Sequence, residues 1–263
     1  MCGIMGMVLK QQERSEKELD ALRNRFTSLL VATEIRGRDA AGAFVVNQPK
    51  EGESPIRWTK AAGAANKLVR NPKYYALMDT IGTGTIGAIG HTRLATQGCP
   101  SCNENNHPII TNQKIVGVHN GMLLNDDEIR EEFPFEQEVD SAAIFAALSG
   151  NAGSKALTAK VIAETLPIIE GDMAIAVADT RNSNRLFIAR DNGRPLFLLE
   201  DKDALWLAST PDILAKGLGV MAKFKAQSLD AFSVMTFNGG RENIETRKWS
   251  NSSVARSSFS FTL

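Results

Sequence analysis

Cysteine and histidine are both scarce, with three of each in 263 residues. Three cysteines cannot staple a chain of this length, so no disulfide framework is expected and each thiol has to be read for its own chemistry. Charge of one sign is missing as well. Thirty basic residues balance thirty acidic ones, and without a basic excess no nucleic-acid partner is expected. No apolar run approaches membrane-spanning length, and the N-terminus lacks the charged stretch, apolar run and cleavage site of a secretory leader. The expectation is a cytoplasmic protein with no membrane partner. There is no internal repeat and no linker between unlike halves. The glycines around Thr83-Gly84-Thr85 match neither a phosphate loop nor a dinucleotide fingerprint. What remains is ordinary: 43% hydrophobic and 23% charged residues, enough to bury a real core.

Cys2 to Leu9 is short, apolar and glycine-containing, as a buried strand would be. Ser15 followed by Glu18 makes a capping-box pattern, and Leu19, Leu22, Phe26, Leu29 and Leu30 continue it at helical spacing. Strands are expected at Ala43–Val46, Ile86–Thr92 and Ile115–Val118, while Pro49–Asp79 shows no clear pattern. Asp126 and Asp127 suit the first turn of a short helix, where acids complement the dipole. Helices are expected at Ser141–Leu148 and Lys155–Ile169. After Gly171 the pattern turns to strands at Met173–Ala178, Arg185–Ala189, Leu196–Leu199, Leu205–Ala208, Phe232–Phe237 and Thr246–Trp249. Strands at both ends with helices between imply an α+β layered domain over residues 1–250, followed by a loose polar tail at 251–263.

The second residue is the first candidate for chemistry. If Met1 is removed, Cys2 carries a thiol and a free α-amine on one residue. The amine titrates at about 7.7–8.0 and a free thiol near 8.5, so the amine can take the thiol's proton near neutrality without a histidine base. A thiol attacking an amide needs donors for the tetrahedral oxyanion. Asn120-Gly121 could supply a side-chain amide and a closely approaching backbone N–H, although the pair alone favours a plain turn. Arg93, just after a buried strand, could bind a carboxylate in bidentate fashion or form a surface ion pair. Asp140 could hold an ammonium group, cap the following helix, or do both.

Six segments carry a resemblance: Met1-Cys2-Gly3-Ile4, Arg36-Gly37-Arg38-Asp39-Ala40-Ala41-Gly42, Gly90-His91-Thr92-Arg93-Leu94-Ala95-Thr96, Asn106-His107-Pro108, His119-Asn120-Gly121 and Val139-Asp140-Ser141. In that order and spacing they resemble the glutaminase domain of class II glutamine amidotransferases, most closely that of glucosamine-6-phosphate synthase. The resemblance runs from Cys2 to about Gly217, and Ala189–Leu196 and Leu207–Ser209 resemble the family's central strands. It implies an N-terminal-nucleophile hydrolase fold, a four-layer αββα sandwich with two antiparallel sheets. It implies Cys2 as nucleophile with its α-amine as acid and base, and Asn120 and Gly121 as the oxyanion hole. Arg93 and Thr96 would hold the carboxylate of L-glutamine, and Asp140 its α-ammonium. Arg36 and Asp39 would order the site, or form an ion pair stitching a turn. No cofactor and no metal are implied. The ammonia would pass to a separate synthase or acceptor-enzyme subunit.

Four positions depart from the family pattern: Ala40 for Ser, Leu94 for Trp, Gln97 for His and Ala142 for Glu. They bear on coupling to the acceptor and leave the nucleophile and oxyanion donors intact. Cys99-Pro100-Ser101-Cys102 has the spacing of half a zinc site or a redox pair. A structural zinc wants four ligands and no second Cys-x-x-Cys exists, so the sequence favours two plain loop thiols. Two other functions fit the sequence: an N-terminal-cysteine hydrolase of a different amide, and a non-catalytic glutamine-sensing subunit.

Overall fold

The Ser15 backbone N–H and hydroxyl both donate to the Glu18 carboxylate, at 2.8 and 2.7 Å, and the first long helix starts there. The structure, a computed structural model, describes residues 1–240 and 244–250; the expected tail at 251–263 lies outside the described residues. Strand β1 is Gly3–Leu9, helix α1 is Glu16–Ala32, and β2 and β3 are Ala40–Asn47 and Ile56–Ala62. Two short helices follow, α2 at Ala65–Leu68 and α3 at Pro72–Met78, and then β4 at Thr85–Arg93, β5 at Ile109–Thr111 and β6 at Ile115–Leu123. The helical stretch comprises α4 (Asp126–Glu132), α5 (Ser141–Ala152) and α6 (Ala159–Thr165). Strands β7 (Gly171–Asp179), β8 (Arg185–Arg190), β9 (Phe197–Glu200) and β10 (Ala204–Ala208) come next. The described part closes with α7 (Pro211–Leu218), α8 (Ala222–Lys225), β11 (Gln227–Ser228), β12 (Ser233–Asn238) and β13 (Ile244–Lys248).

Two sheets form, and every pairing is antiparallel. The seven-stranded sheet runs β11-β9-β10-β1-β4-β2-β3, and the six-stranded one β13-β12-β8-β7-β6-β5. Strand side chains alternate faces, and the cores separate accordingly. Ile4 and Val8 of β1, Phe44 and Val46 of β2, and Leu205 and Leu207 of β10 meet Val116, Val118, Ala174, Ala176 and Ile188 between the sheets. On the outer face of the first sheet, Met5, Met7, Leu9 and Trp206 pack against Phe26, Leu29, Leu30 and Ile213 of α1 and α7. On the outer face of the second, Ile175, Val177 and Phe187 meet Phe145, Leu148 and Ile162 of α5 and α6. The result is the αββα layering that the family resemblance implied.

Several expected elements shift. The patternless 49–79 segment holds β3, α2 and α3; Asn71 accepts from the Lys73 N–H at 2.9 Å and Pro72 opens α3, so caps rather than periodicity define it. The helix expected from Lys155 starts at Ala159, because the Thr158 hydroxyl caps the Val161 N–H and the Leu157 N–H is drawn to Asp179. Asp191–Leu196, read with the central strands, is a loop: the Asp191 carboxylate accepts backbone N–H groups from Met173, Gly193 and Arg194. The last strand among the described residues is Ile244–Lys248, ending before Trp249.

Candidate active site

Period-two alternation brings the two key residues to one face. Cys2 continues the Ile4–Val8 parity of β1, and Asn120 continues the Val116–Val118 parity of β6, so both belong to the gap between the sheets. Across β1, Gly3 pairs with Thr92 and Ile4 with His91, which places Arg93 beside Cys2 at the end of β4. The His91 Nε2 lies 3.0 Å from the His119 carbonyl and ties the two sheets together at this end.

Cys2 is half-buried, and its thiol donates to the Leu94 carbonyl at 3.5 Å. Burial pushes the thiol up, while the charges of the chain N-terminus and Arg93 pull it down. Met1 is 57% exposed. Arg36 Nε donates to the Cys2 carbonyl at 3.0 Å. Asp39 accepts from the Ala95 N–H at 2.8 Å, and its own N–H reaches the Arg93 carbonyl at 2.9 Å. Arg36 thus holds the Cys2 backbone and Asp39 holds Ala95, the residue after the thiol's acceptor, and no ion pair joins the two among the described residues.

Arg93 is 3% exposed, and its partners are not carboxylates. Nη1 donates to Asn106 Oδ1 at 2.8 Å, and Nη2 donates to the Gln97 and Gly98 carbonyls, the latter at 2.8 Å. The guanidinium closes the 97–106 loop on itself. Thr96 lies exposed just before that loop. Asp140 is buried: Oδ2 accepts the Leu123 N–H at 2.9 Å and Oδ1 the Ser141 N–H at 2.7 Å, joining the end of β6 to the start of α5.

Asn120 and Gly121 lie inside β6, paired with Ala174 and Met173 of β7, and not in a turn. The Asn120 side chain is 1% exposed and its Nδ2 is buried without a hydrogen-bond partner. A buried amide donor left unmade costs about 1–3 kcal/mol, so a fold that keeps one invites an acceptor at that point. A Cβ at Gly121 would lie 1.8 Å from the Asp172 carbonyl oxygen and 2.4 Å from His119 Nε2, so only glycine fits.

All three histidines are buried here. His119 Nδ1 lies 2.8 Å from the Ser141 hydroxyl, and His107 stacks on His91 with ring centroids 4.0 Å apart. Burial lowers each one, His91 to about 3. At neutral pH these rings are uncharged, and the Cys2 thiol bonds to a carbonyl instead. Two residues at this end lie in segments that the sequence analysis quoted without giving them a role. Asn106 orients Arg93, and Arg194 pairs with Asp172 at 3.2 Å while placing Nη1 3.7 Å from the Met1 sulfur. The Asp191-Asn192-Gly193-Arg194 turn was the available signal. No cluster of three or more metal-ligating side chains occurs among the described residues.

Two facing antiparallel sheets between helical layers, with a cysteine opening the central strand of one sheet, define an N-terminal-nucleophile hydrolase fold. A glutamine amidotransferase domain family matches residues 91–216. The isomerizing glutamine-fructose-6-phosphate aminotransferase of Escherichia coli K12 is 28% identical over 260 residues, covering 94% of this chain and 39% of that protein. The 7-cyano-7-deazaguanine synthase 2 of Sulfurisphaera tokodaii is 25% identical over 252 residues, covering 94% of this chain and 50% of that protein. Among solved structures, glutamine phosphoribosylpyrophosphate amidotransferase from Bacillus subtilis, complexed with ADP and GMP, superposes with a TM-score of 0.71 at 20% identity, over 95% of this chain and 49% of that one. Residues 91–216 match a glutamine amidotransferase domain, and the fold and the similar proteins extend the likeness over most of the chain. It spans half or less of the length of these relatives. No helix among the described residues is long and apolar enough to cross a membrane.

Proposed function

We propose that the chain hydrolyses L-glutamine to glutamate and ammonia through a γ-glutamyl thioester on Cys2. The observation that carries this reading is the buried, partnerless Nδ2 of Asn120 on the same inter-sheet face as the thiol. Once Met1 is removed, the Cys2 α-amine takes the thiol proton and the sulfur attacks the side-chain amide carbon. Asn120 Nδ2 and the Gly121 N–H donate to the oxyanion, and the amine's proton leaves with ammonia. Water, activated by the same amine, then releases glutamate. Burial raises the thiol's pKa, so a base at the nucleophile is needed, and the neutral buried histidines make poor candidates. Arg93 and Thr96 bind the substrate carboxylate and Asp140 the ammonium, with Arg36 and Asp39 ordering the nucleophile. No cofactor takes part. The aminotransferase relative, whose name couples glutamine to fructose-6-phosphate, supports passing the ammonia to an acceptor, and in this reading the acceptor enzyme is a separate subunit.

The test joins three measurements on the purified chain. Intact mass should lack Met1, glutamine should yield glutamate and ammonia in equal amounts, and Cys2→Ala should abolish both turnover and capture by a glutamine-like electrophile. A chain that keeps Met1 and turns over at the full rate removes the amine base.

A further inference from the structure

Outside that machinery lies a second pair of thiols. Cys99 and Cys102 are both free and exposed, in the loop that Arg93 closes. The Cys102 N–H donates to the Cys99 carbonyl at 3.2 Å, the bond of a β-turn. Such a turn holds its end Cα atoms within about 7 Å, and disulfides span about 4.4–6.8 Å. We propose that Cys99 and Cys102 form a reversible dithiol–disulfide site whose oxidation weakens glutamine capture through the Arg93 loop.

The two thiols now point to different partners. Cys99 Sγ lies 2.9 Å from the Ser101 hydroxyl, and Cys102 Sγ donates to Glu104 Oε2 at 3.4 Å. The Ser101 hydroxyl and nearby backbone N–H groups hold the Cys99 thiol below its ordinary range, so Cys99 is the attacking thiol. With a small-molecule disulfide as oxidant, the Cys99 thiolate attacks one sulfur and expels a thiolate, which takes up the proton Cys99 gave up. Cys102 then attacks the Cys99 sulfur, loses its own proton and expels the second thiol. The dithiol is oxidised by two electrons and the external disulfide is reduced to two thiols.

Closure must rotate both side chains away from Ser101 and Glu104. The same turn is bonded to the residues around Arg93: Asn105 Nδ2 donates to the Cys99 carbonyl at 3.3 Å, and Asn106 Nδ2 to the Pro100 carbonyl at 2.8 Å. Asn106 in turn accepts from Arg93, which also holds the Gly98 carbonyl. Retightening residues 99–102 therefore shifts the acceptors that aim the guanidinium. This functional half rests on the reading of Arg93 as the carboxylate ligand; formation of the disulfide does not.

The experiment equilibrates the full Met1-processed chain in glutathione buffers of rising oxidised fraction, with alkylation and peptide mass as readout. The expected product is the tryptic peptide 94–114 lighter by two hydrogens, reversed by dithiothreitol. KM for glutamine should rise about tenfold on oxidation, the size of one weakened charge-assisted hydrogen bond, with kcat little changed. The double variant Cys99→Ser/Cys102→Ser should keep the reduced-state KM in every buffer. Free thiols at every ratio, a glutathione adduct alone, a disulfide that includes Cys2, or an unchanged KM in the oxidised chain each overturn the proposal. If the reduced chain releases no ammonia, the glutaminase reading fails, and the peptide mass with backbone hydrogen exchange over residues 94–106 still decides whether the disulfide forms and loosens the loop.

Discussion

Asn120 sits where local sequence offers a hairpin turn, and the sheet overrides it. Its strand is paired on both sides of His119–Gly121 by the continuous register Ile115↔Asp179 to Leu123↔Gly171, so a turn there would break the ladder. Gly121 serves the close approach of the Asp172 carbonyl, a requirement invisible until β7 is in place. Asn120→Ala is expected to lower kcat by about 10²–10³ with KM nearly unchanged, the loss of one oxyanion donor. Steady-state ammonia release checks it, and a rise in KM alone would reassign the residue to substrate binding. Gly121→Ala should be inactive and less stable, since even a methyl group meets backbone oxygen. Each of these residues had a plain alternative in the sequence, a turn for Asn120 and a helix cap for Asp140; only the folded sheets bring Cys2, Asn120 and Asp140 to one end. Arg93 was legible as an important cation, but its present partners, an asparagine and two carbonyls, depend on a loop fold that spacing does not encode.

Helix α5 shows what packing demands of an element. Its residues from Ser141 to Ser149 are buried on every side, because β6, β5, α4 and α6 enclose it. The Phe145 ring lies over Gly117, where a Cβ would come within 2.1 Å of its Cε1. Gly117→Val should destabilise the chain by about 1–3 kcal/mol through overpacking, measured by urea denaturation, and Phe145→Ala should recover part of that loss. Full stability in the single variant would mean that α5 can slide outward. Strongly periodic elements such as α1 were readable from sequence, since Leu19, Leu22, Phe26, Leu29 and Leu30 are all buried as spaced. Helix α7 was not, although Thr210 caps the Ile213 N–H and Pro211 opens it. At eight residues it is too short for periodicity to stand out from the strands before it.

The buried histidines give the whole molecule a pH signature. Their folded-state affinity for protons lies below that of the unfolded chain, so folding stability is complete above the unfolded value of about 6.5 and falls as pH drops toward 3. Each ring contributes a slope of roughly 1–1.4 kcal/mol per pH unit while the unfolded form is protonated and the folded form is not. Asp191, whose carboxyl burial pushes up, acts in the opposite direction, in the carboxylate range. Chemical denaturation between pH 7.5 and 5 should show the loss, and His107→Phe should flatten it by about one proton; equal stability at the two ends of that range would place the rings in water. The layered class was legible from strands at both ends of the sequence, whereas the strand order was not, because pairings such as Met5 with Ala208 leave no local trace. That pairing also sets a timetable for synthesis. Strand β1, made before every strand it pairs with, is the central one of seven and lies between β4 and β10. Until residues 204–208 emerge, one edge of β1 has no neighbour, so the sheet that Cys2 leads into is completed only after some two hundred residues of chain have been made.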